Sequence, residues 1–96
     1  MITEIALLKI RPGQSDAFEE AFANAQPIIE SMNGYIQHEL QQCLEKVDKY
    51  MLVVRWKTVE DHTIGFRQSE RYKEWERLLH HFYDPFPVVE HYKRIF

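Results

Sequence analysis

Apolar residues recur along this chain with two periods, and the switches between them predict its elements. Ile2 to Ile10 reads as a strand, with Ile5 and Leu7 on one face and Ile2, Ala6, Leu8 and Ile10 on the other. A strand with one wet face alternates more cleanly, so this spacing predicts a sheet covered on both sides. Arg11-Pro12-Gly13 breaks the strand, because proline lacks a donor and glycine frees the backbone. Ser15 is then expected as a helix N-cap, with Asp16, Glu19 and Glu20 near the positive end of the helix dipole. Phe18, Phe22, Ala25, Ile29 and Met32 recur at helical spacing and form one face. Pro27 should kink this helix or end its regular part, since it deletes a backbone hydrogen bond. Asn33-Gly34 closes it, Gly34 serving as a left-handed C-cap.

The second half repeats the scheme. Tyr35 to Leu44 is a strand with Ile36, His38, Leu40 and Gln42 on one face and Tyr35, Gln37, Glu39 and Gln41 on the other. It is more polar than the first, which suits a sheet edge or a wet cavity. Leu44 to Lys49 is a charged turn, and Tyr50 to Trp56 a strand apolar on both faces, so the pair predicts a hairpin. Thr58-Val59-Glu60-Asp61 reads as a cap followed by a capping-box acid. Val59, His62 and Phe66 share a face of the short helix that follows, which Gly65 weakens at its end. Ser69 caps another helix, with an apolar stripe of Tyr72, Trp75, Leu79 and Phe82. Asp84 to Pro87 is a loop, and Val88 to Phe96 the last strand. The order β-α-β-β-α-β, with its second helical region split, predicts an α+β, ferredoxin-like fold: an antiparallel sheet with helices on one face, in a single domain spanning residues 1–96. The helices cover one apolar face of the first and third strands. A second copy of the chain, packed sheet to sheet, is the simplest cover for the other, so a homodimer is expected.

Composition narrows the partners. The net charge is -3 with both signs interspersed, which lacks the clustered basic footprint of a nucleic-acid binder. The chain contains one cysteine, Cys43, which excludes an internal disulfide and suits a reducing compartment. MITEIALLKI has neither a basic leader nor an apolar run of membrane-spanning length. A cytoplasmic protein with no membrane partner is the expectation.

Candidate chemistry is limited. The five histidines show no HxxxH, HxH or HExxH spacing, so no metal site is expected. His38 and His91 lie on strands, where each is either a cavity residue with a tunable proton or a hydrogen-bonded packing residue. The acids Glu60 and Asp61 are explained by capping. No GxSxG elbow, GxGxxG or P-loop is present, so neither a serine nucleophile nor a nucleotide or flavin cofactor is indicated. The aromatic group Trp56, Phe66, Tyr72, Trp75, Phe82, Tyr83 and Phe86 is either core and interface or the wall of a flat apolar pocket for an organic ligand. Arg55 and Arg67 flank it, each an oxyanion anchor or a surface charge with its stem packed on a ring.

A strand ending in Trp56, followed by TVEDHTIGFRQSERYKEW and later by PVVEHY, resembles the antibiotic biosynthesis monooxygenase domain family. The likeness spans essentially the whole chain. It implies a dimeric α+β barrel in which two sheets close on each other and each subunit keeps a pocket between sheet and helices. It also implies oxidation of a small aromatic or quinol-like substrate by dioxygen with no cofactor. An electron-rich substrate anion can itself reduce oxygen, while the protein supplies desolvation, orientation and a proton acceptor. On this resemblance His62 or His91 is the catalytic acceptor and Arg67 holds the substrate oxyanion, with Phe66, Trp56, Trp75 and His38 as further substrate-binding residues. Haem-degrading relatives use an Asn on the first strand with a Trp and a His on the second helical region, and this chain lacks that pattern. Two alternatives stay open: a non-catalytic ligand-binding or stress-associated dimer, and an isomerase or lyase using one inward acid-base group.

Overall fold

The two strands with apolar residues on both faces lie in the middle of the sheet. The computed structural model describes residues 1–96, in the order β1 (Ile2–Lys9), α1 (Ser15–Glu30), β2 (Tyr35–Gln42), β3 (Lys49–Trp56), α2 (Glu70–Leu79) and β4 (Val89–Tyr92). A π-helical turn, Asp61–Phe66, precedes α2, and a 3-10 turn, His80–Phe82, follows it. The sheet order is β2-β3-β1-β4 with every pairing antiparallel, which is the ferredoxin-like α+β arrangement. The polar strand β2 takes an edge, as its composition requires.

Both helical regions cover one face of this sheet. Ala6 and Leu8 of β1 and Tyr50, Leu52, Val54 and Trp56 of β3 are buried there against Phe18, Phe22, Ala25, Ile28 and Ile29 of α1 and Trp75 and Leu79 of α2. The opposite face is open in the single chain. On it Ile5, Met51 and Val53 are half-buried, while Leu7 and Tyr92 are 54% and 52% exposed. No helix is long and apolar enough to cross a membrane.

The capping box is present as expected. Asp61 N–H donates to Thr58 Oγ1 at 3.2 Å, and Thr58 N–H donates to Asp61 Oδ2 at 3.1 Å. Ser69 Oγ likewise accepts from the Tyr72 backbone N–H at 3.1 Å.

Other details differ from the pattern's expectation, each for a local reason. Gln14, not Ser15, is the N-cap of α1 and makes no side-chain cap bond; the Ser15 hydroxyl instead donates to the Val47 carbonyl across the hairpin turn. Pro27 does not end α1, which runs on to Glu30. Pro27 and Ala23, whose carbonyl the missing N–H would have met, both lie in exposed positions, so water satisfies the freed acceptor. An irregularity between Tyr35 and Gln37 leaves Ile36 without a partner. This bulge turns Tyr35 to the same side as His38, and its hydroxyl reaches His38 Nδ1 at 2.6 Å. β4 is shorter than the expected Val88–Phe96. Tyr92 pairs with Thr3, so almost no β1 backbone is left to extend the ladder.

Gly34 carries the tightest backbone constraint. Its φ is 83°, and a Cβ there would sit 2.1 Å from Asp61 Oδ2, the oxygen that caps Thr58. Gly34→Ala is therefore expected to combine left-handed strain of about 1–2 kcal/mol with loss of a cap of about 1 kcal/mol. In an Asp61→Gly background the same substitution should cost only the strain, because the clash with the Asp61 carboxylate and Cβ and the cap are already gone. Urea unfolding of the four variants measures this as a double-mutant cycle.

Candidate active site

The sheet register lays the floor of the site. Glu4 faces the helices with Ala6 and Leu8, two residues apart along β1. It stands directly opposite His91 on β4, while Ile2 stands opposite Trp56 on β3. Trp56 and His91 therefore flank Glu4 on one face, Trp56 on the diagonal. The Trp56 indole Nε1–H donates to Glu4 Oε1 at 2.9 Å. The indole is itself wholly buried and Glu4 is 5% exposed.

The π-helical turn supplies the roof. It carries His62 onto the indole face, with ring centroids 5.5 Å apart and planes 22° from parallel. His62 is 3% exposed. Its Nε2 stands 3.4 Å from Glu4 Oε1, and its Nδ1 is 2.8 Å from His91 Nε2. Glu4, His62 and His91 thus form a line from the interior to the half-buried edge at β4. His62 spends both ring nitrogens on the other two, so the three do not converge on one point, and no cluster of His, Cys, Asp or Glu is arranged to hold a metal ion.

Glu4 and His62 both open on a cavity of about 110 Å³ between the sheet and α2. Ala6, Leu8, Leu52 and Val89 form its sheet side; Phe66, Tyr72 and Trp75 form its helical side. Tyr83, Phe86 and Pro87 close the end, and Arg67 lies at the wall. Arg67 is exposed and makes no ion pair.

Burial sets the protonation of this group. It pushes Glu4 up to about 7, against the opposing pull of the Trp56 N–H and the Arg67 guanidinium. It pushes His62 down to about 3, with Arg67 and His91 acting in the same direction. His91 is lowered too, by burial first and then by Arg67. The Glu4–His62 approach has the distance of an ion pair, but both shifts favour neutral forms. The His62 imidazole is neutral at physiological pH, and Glu4 titrates near neutrality.

The expected site residues divide into three groups. His62, Phe66, Arg67 and Trp75 meet at the cavity. Trp56 and His91 stand behind it, touching the lining through Glu4 and His62. His38 lies elsewhere, on the edge strand, where Tyr35 Oη and Gln26 Oε1 hold its two ring nitrogens at 2.6 and 2.8 Å. Burial lowers its affinity for a proton, and it is accounted for as a packing histidine. Glu4 was not anticipated. Its signal was an acid in register with Ile2, Ala6, Leu8 and Ile10, on the apolar face of the first strand.

Comparisons with known proteins agree with this architecture. The model of the family described as antibiotic biosynthesis monooxygenase matches residues 1–78. The uncharacterized protein YczJ of Bacillus subtilis (strain 168) is 53% identical over 95 residues, covering 99% of this chain and 100% of that protein. A solved structure from Bordetella bronchiseptica, described as a candidate antibiotic biosynthesis monooxygenase, superposes with a TM-score of 0.94 at 34% identity, covering 99% of this chain and 97% of that one. SnoaB, a cofactor-independent oxygenase from Streptomyces nogalater, shares the fold with a TM-score of 0.74 at 16% identity, covering 99% of this chain and 93% of its own. By its family match and by its identity to these relatives, this chain belongs to the antibiotic biosynthesis monooxygenase family.

Proposed function

We propose that this protein is a cofactor-independent monooxygenase that oxidises a small aromatic, quinol-like compound with dioxygen. The observation that carries the reading is the buried Glu4–His62 pair opening on a cavity walled by Phe66, Tyr72 and Trp75. Removal of a proton from an activated CH₂ or phenolic group leaves an anion whose electrons can pass to oxygen. One oxygen atom is then retained as a carbonyl and the other leaves as water, so the substrate supplies all the electrons. Such a reaction needs a base, a dry site and a fixed substrate orientation. The Glu4–His62 pair supplies the base, the aromatic walls exclude water, and Arg67 stands where it can meet a developing oxyanion.

The cavity volume limits the substrate. At about 110 Å³ it approaches the ~150 Å³ in which a single benzene ring is held. It is small for a polycyclic ligand, whose pockets are typically ~300 Å³ or more. A one-ring substrate is the best match. SnoaB, a cofactor-independent oxygenase by name, supports the reaction class through the shared fold alone.

Assembly belongs to the same reading. The open sheet face, with Leu7 and Tyr92 exposed and Ile5, Met51 and Val53 half-covered, is the surface we assign to a second copy of the chain. Light scattering at micromolar concentration should give a dimer, and a monomer would overturn this assignment.

Oxygen uptake should rise when single-ring quinols are offered to the metal-free protein, and remain at background without protein. His62→Gln should reduce the rate about 10²-fold, the lower end of the usual contribution of a positioned acid or base. Unchanged rates in that variant would remove His62 from the mechanism. Binding of the panel without oxygen uptake would overturn the oxygenase reading and leave a ligand-binding protein.

A further inference from the structure

His62 gives one ring nitrogen to His91 in a hydrogen bond and turns the other toward Glu4 at 3.4 Å. Glu4 is placed differently. Its Oε1 receives the Trp56 indole and faces His62, while no protein donor reaches Oε2. No polar side-chain atom in the protein is both sealed from solvent and unpartnered, so Oε2 is the part of this 5%-exposed residue that opens on the cavity. We propose that Glu4 is the catalytic base that meets the substrate, and that in the free protein its charge is set by proton exchange with solvent through His62 and His91. The catalytic part of this assignment rests on the oxygenase reading above; the relay itself is a property of the free protein.

The relay has two states, which differ in the tautomer of each imidazole. With Glu4 ionised, His62 Nε2–H points at the carboxylate, and His62 Nδ1 accepts from His91 Nε2–H. With Glu4 protonated, the carboxyl O–H points at His62 Nε2, and His62 Nδ1–H donates to His91 Nε2. The first state passes to the second when water protonates His91 Nδ1, the His91 Nε2 proton moves to His62 Nδ1 and the His62 Nε2 proton moves to Glu4 Oε1; the reverse restores the carboxylate. A proton that substrate gives to Oε2 meets a His62 Nε2 that is already protonated, and returns to water from the open oxygen as product leaves. One proton enters at His91 for each one that arrives at Glu4, no electron moves, and His62 exchanges one neutral tautomer for the other. The 3.4 Å separation of Glu4 and His62 is long for the transfer between them, and such contacts tighten when a ligand closes the site. The groups facing Glu4 are His62 from the π-helical turn, Arg67 after it, Tyr72 from α2, Tyr83 after the 3-10 turn, His91 from β4 and the Trp56 N–H from β3. Of these, Tyr72 and Tyr83 have their ionisation raised by burial and His62 and His91 have theirs lowered. Glu4 is the acid of the line, and it changes charge around 7.

Nitrogen-15 NMR of the imidazoles in the ligand-free protein tests the relay. Between pH 5 and 9 the His62 nitrogens should exchange roles, Nδ1–H giving way to Nε2–H with a midpoint near 7, without passing through the imidazolium. In Glu4→Gln the His62 tautomer should stay fixed across that range. A wild-type tautomer that never changes, or a change that survives in Glu4→Gln, would overturn the relay whatever the oxygen-uptake assay gives. Stability carries the same signature. Glu4 is raised in the folded state, so its protonated form stabilises fully below 4.5 and that contribution is lost as the pH rises through about 7. The Tm of Glu4→Gln relative to wild type should therefore climb over that interval and then level off; a constant difference would overturn the ionisation assigned to Glu4. On a substrate found by the quinol panel, Glu4→Gln should lose about 10²-fold or more in kcat with KM little changed. Wild-type turnover by Glu4→Gln would overturn its role as the base while leaving the oxygenase reading in place. A panel with no turnover would sink that reading, and the tautomer measurement would still decide the relay.

Discussion

A carboxyl group sits in the middle of the covered sheet face, and the indole of Trp56 is what holds it there. Burying a carboxylate without partners is among the costliest things a small domain can do. The Trp56 N–H reduces that cost, and the remaining desolvation is met by letting Glu4 hold its proton up to about 7. The same indole carries His62 stacked on its face. Trp56 also ends β3 opposite Ile2, so one side chain joins the sheet register, the acid and the histidine. Phe66 and Trp75 pack edge to face at 5.4 Å beyond it, extending the indole's apolar surroundings to the cavity wall.

The periodicity carried the architecture because each element obeys its own repeat. β1 and β3 show two apolar faces and are central; β2 shows one weak face and is at the edge. The capping signals at Thr58 and Ser69 are local in sequence and were legible for that reason. Features that depend on partners distant in the chain were not. The bulge at Ile36 reverses Tyr35 without any glycine to mark it. The length of β4 is set by where β1 begins, and Ser15 is drawn from its cap by the Val47 carbonyl across the fold.

The site was partly legible on the same terms. His62 and Phe66 fell on one helical face with the apolar residues, which marked His62 as inward. His91 fits the strand pattern but gains its meaning only through the 2.8 Å contact with His62. Glu4 escaped notice because a single acid in ITEIALLKI reads as a surface interruption. Its phase with Ala6 and Leu8 was the available sign that it points inward.

The π-helical turn at Asp61–Phe66 has a consequence for how such a site can change over time. Its backbone bond from Arg67 N–H to the His62 carbonyl, 3.1 Å long, spans one residue more than an α-helical bond would. The turn thus holds one extra residue relative to an ordinary helix, the local equivalent of a single-codon insertion. The wider turn absorbs the extra residue, so Arg67, five residues on, stands over His62 much as the fourth residue of an α-helical turn would. Loss of one residue between them would restore the α-helical spacing and leave Arg67 on the same side as His62. The length of this turn can therefore change by one codon without taking the arginine from the cavity wall.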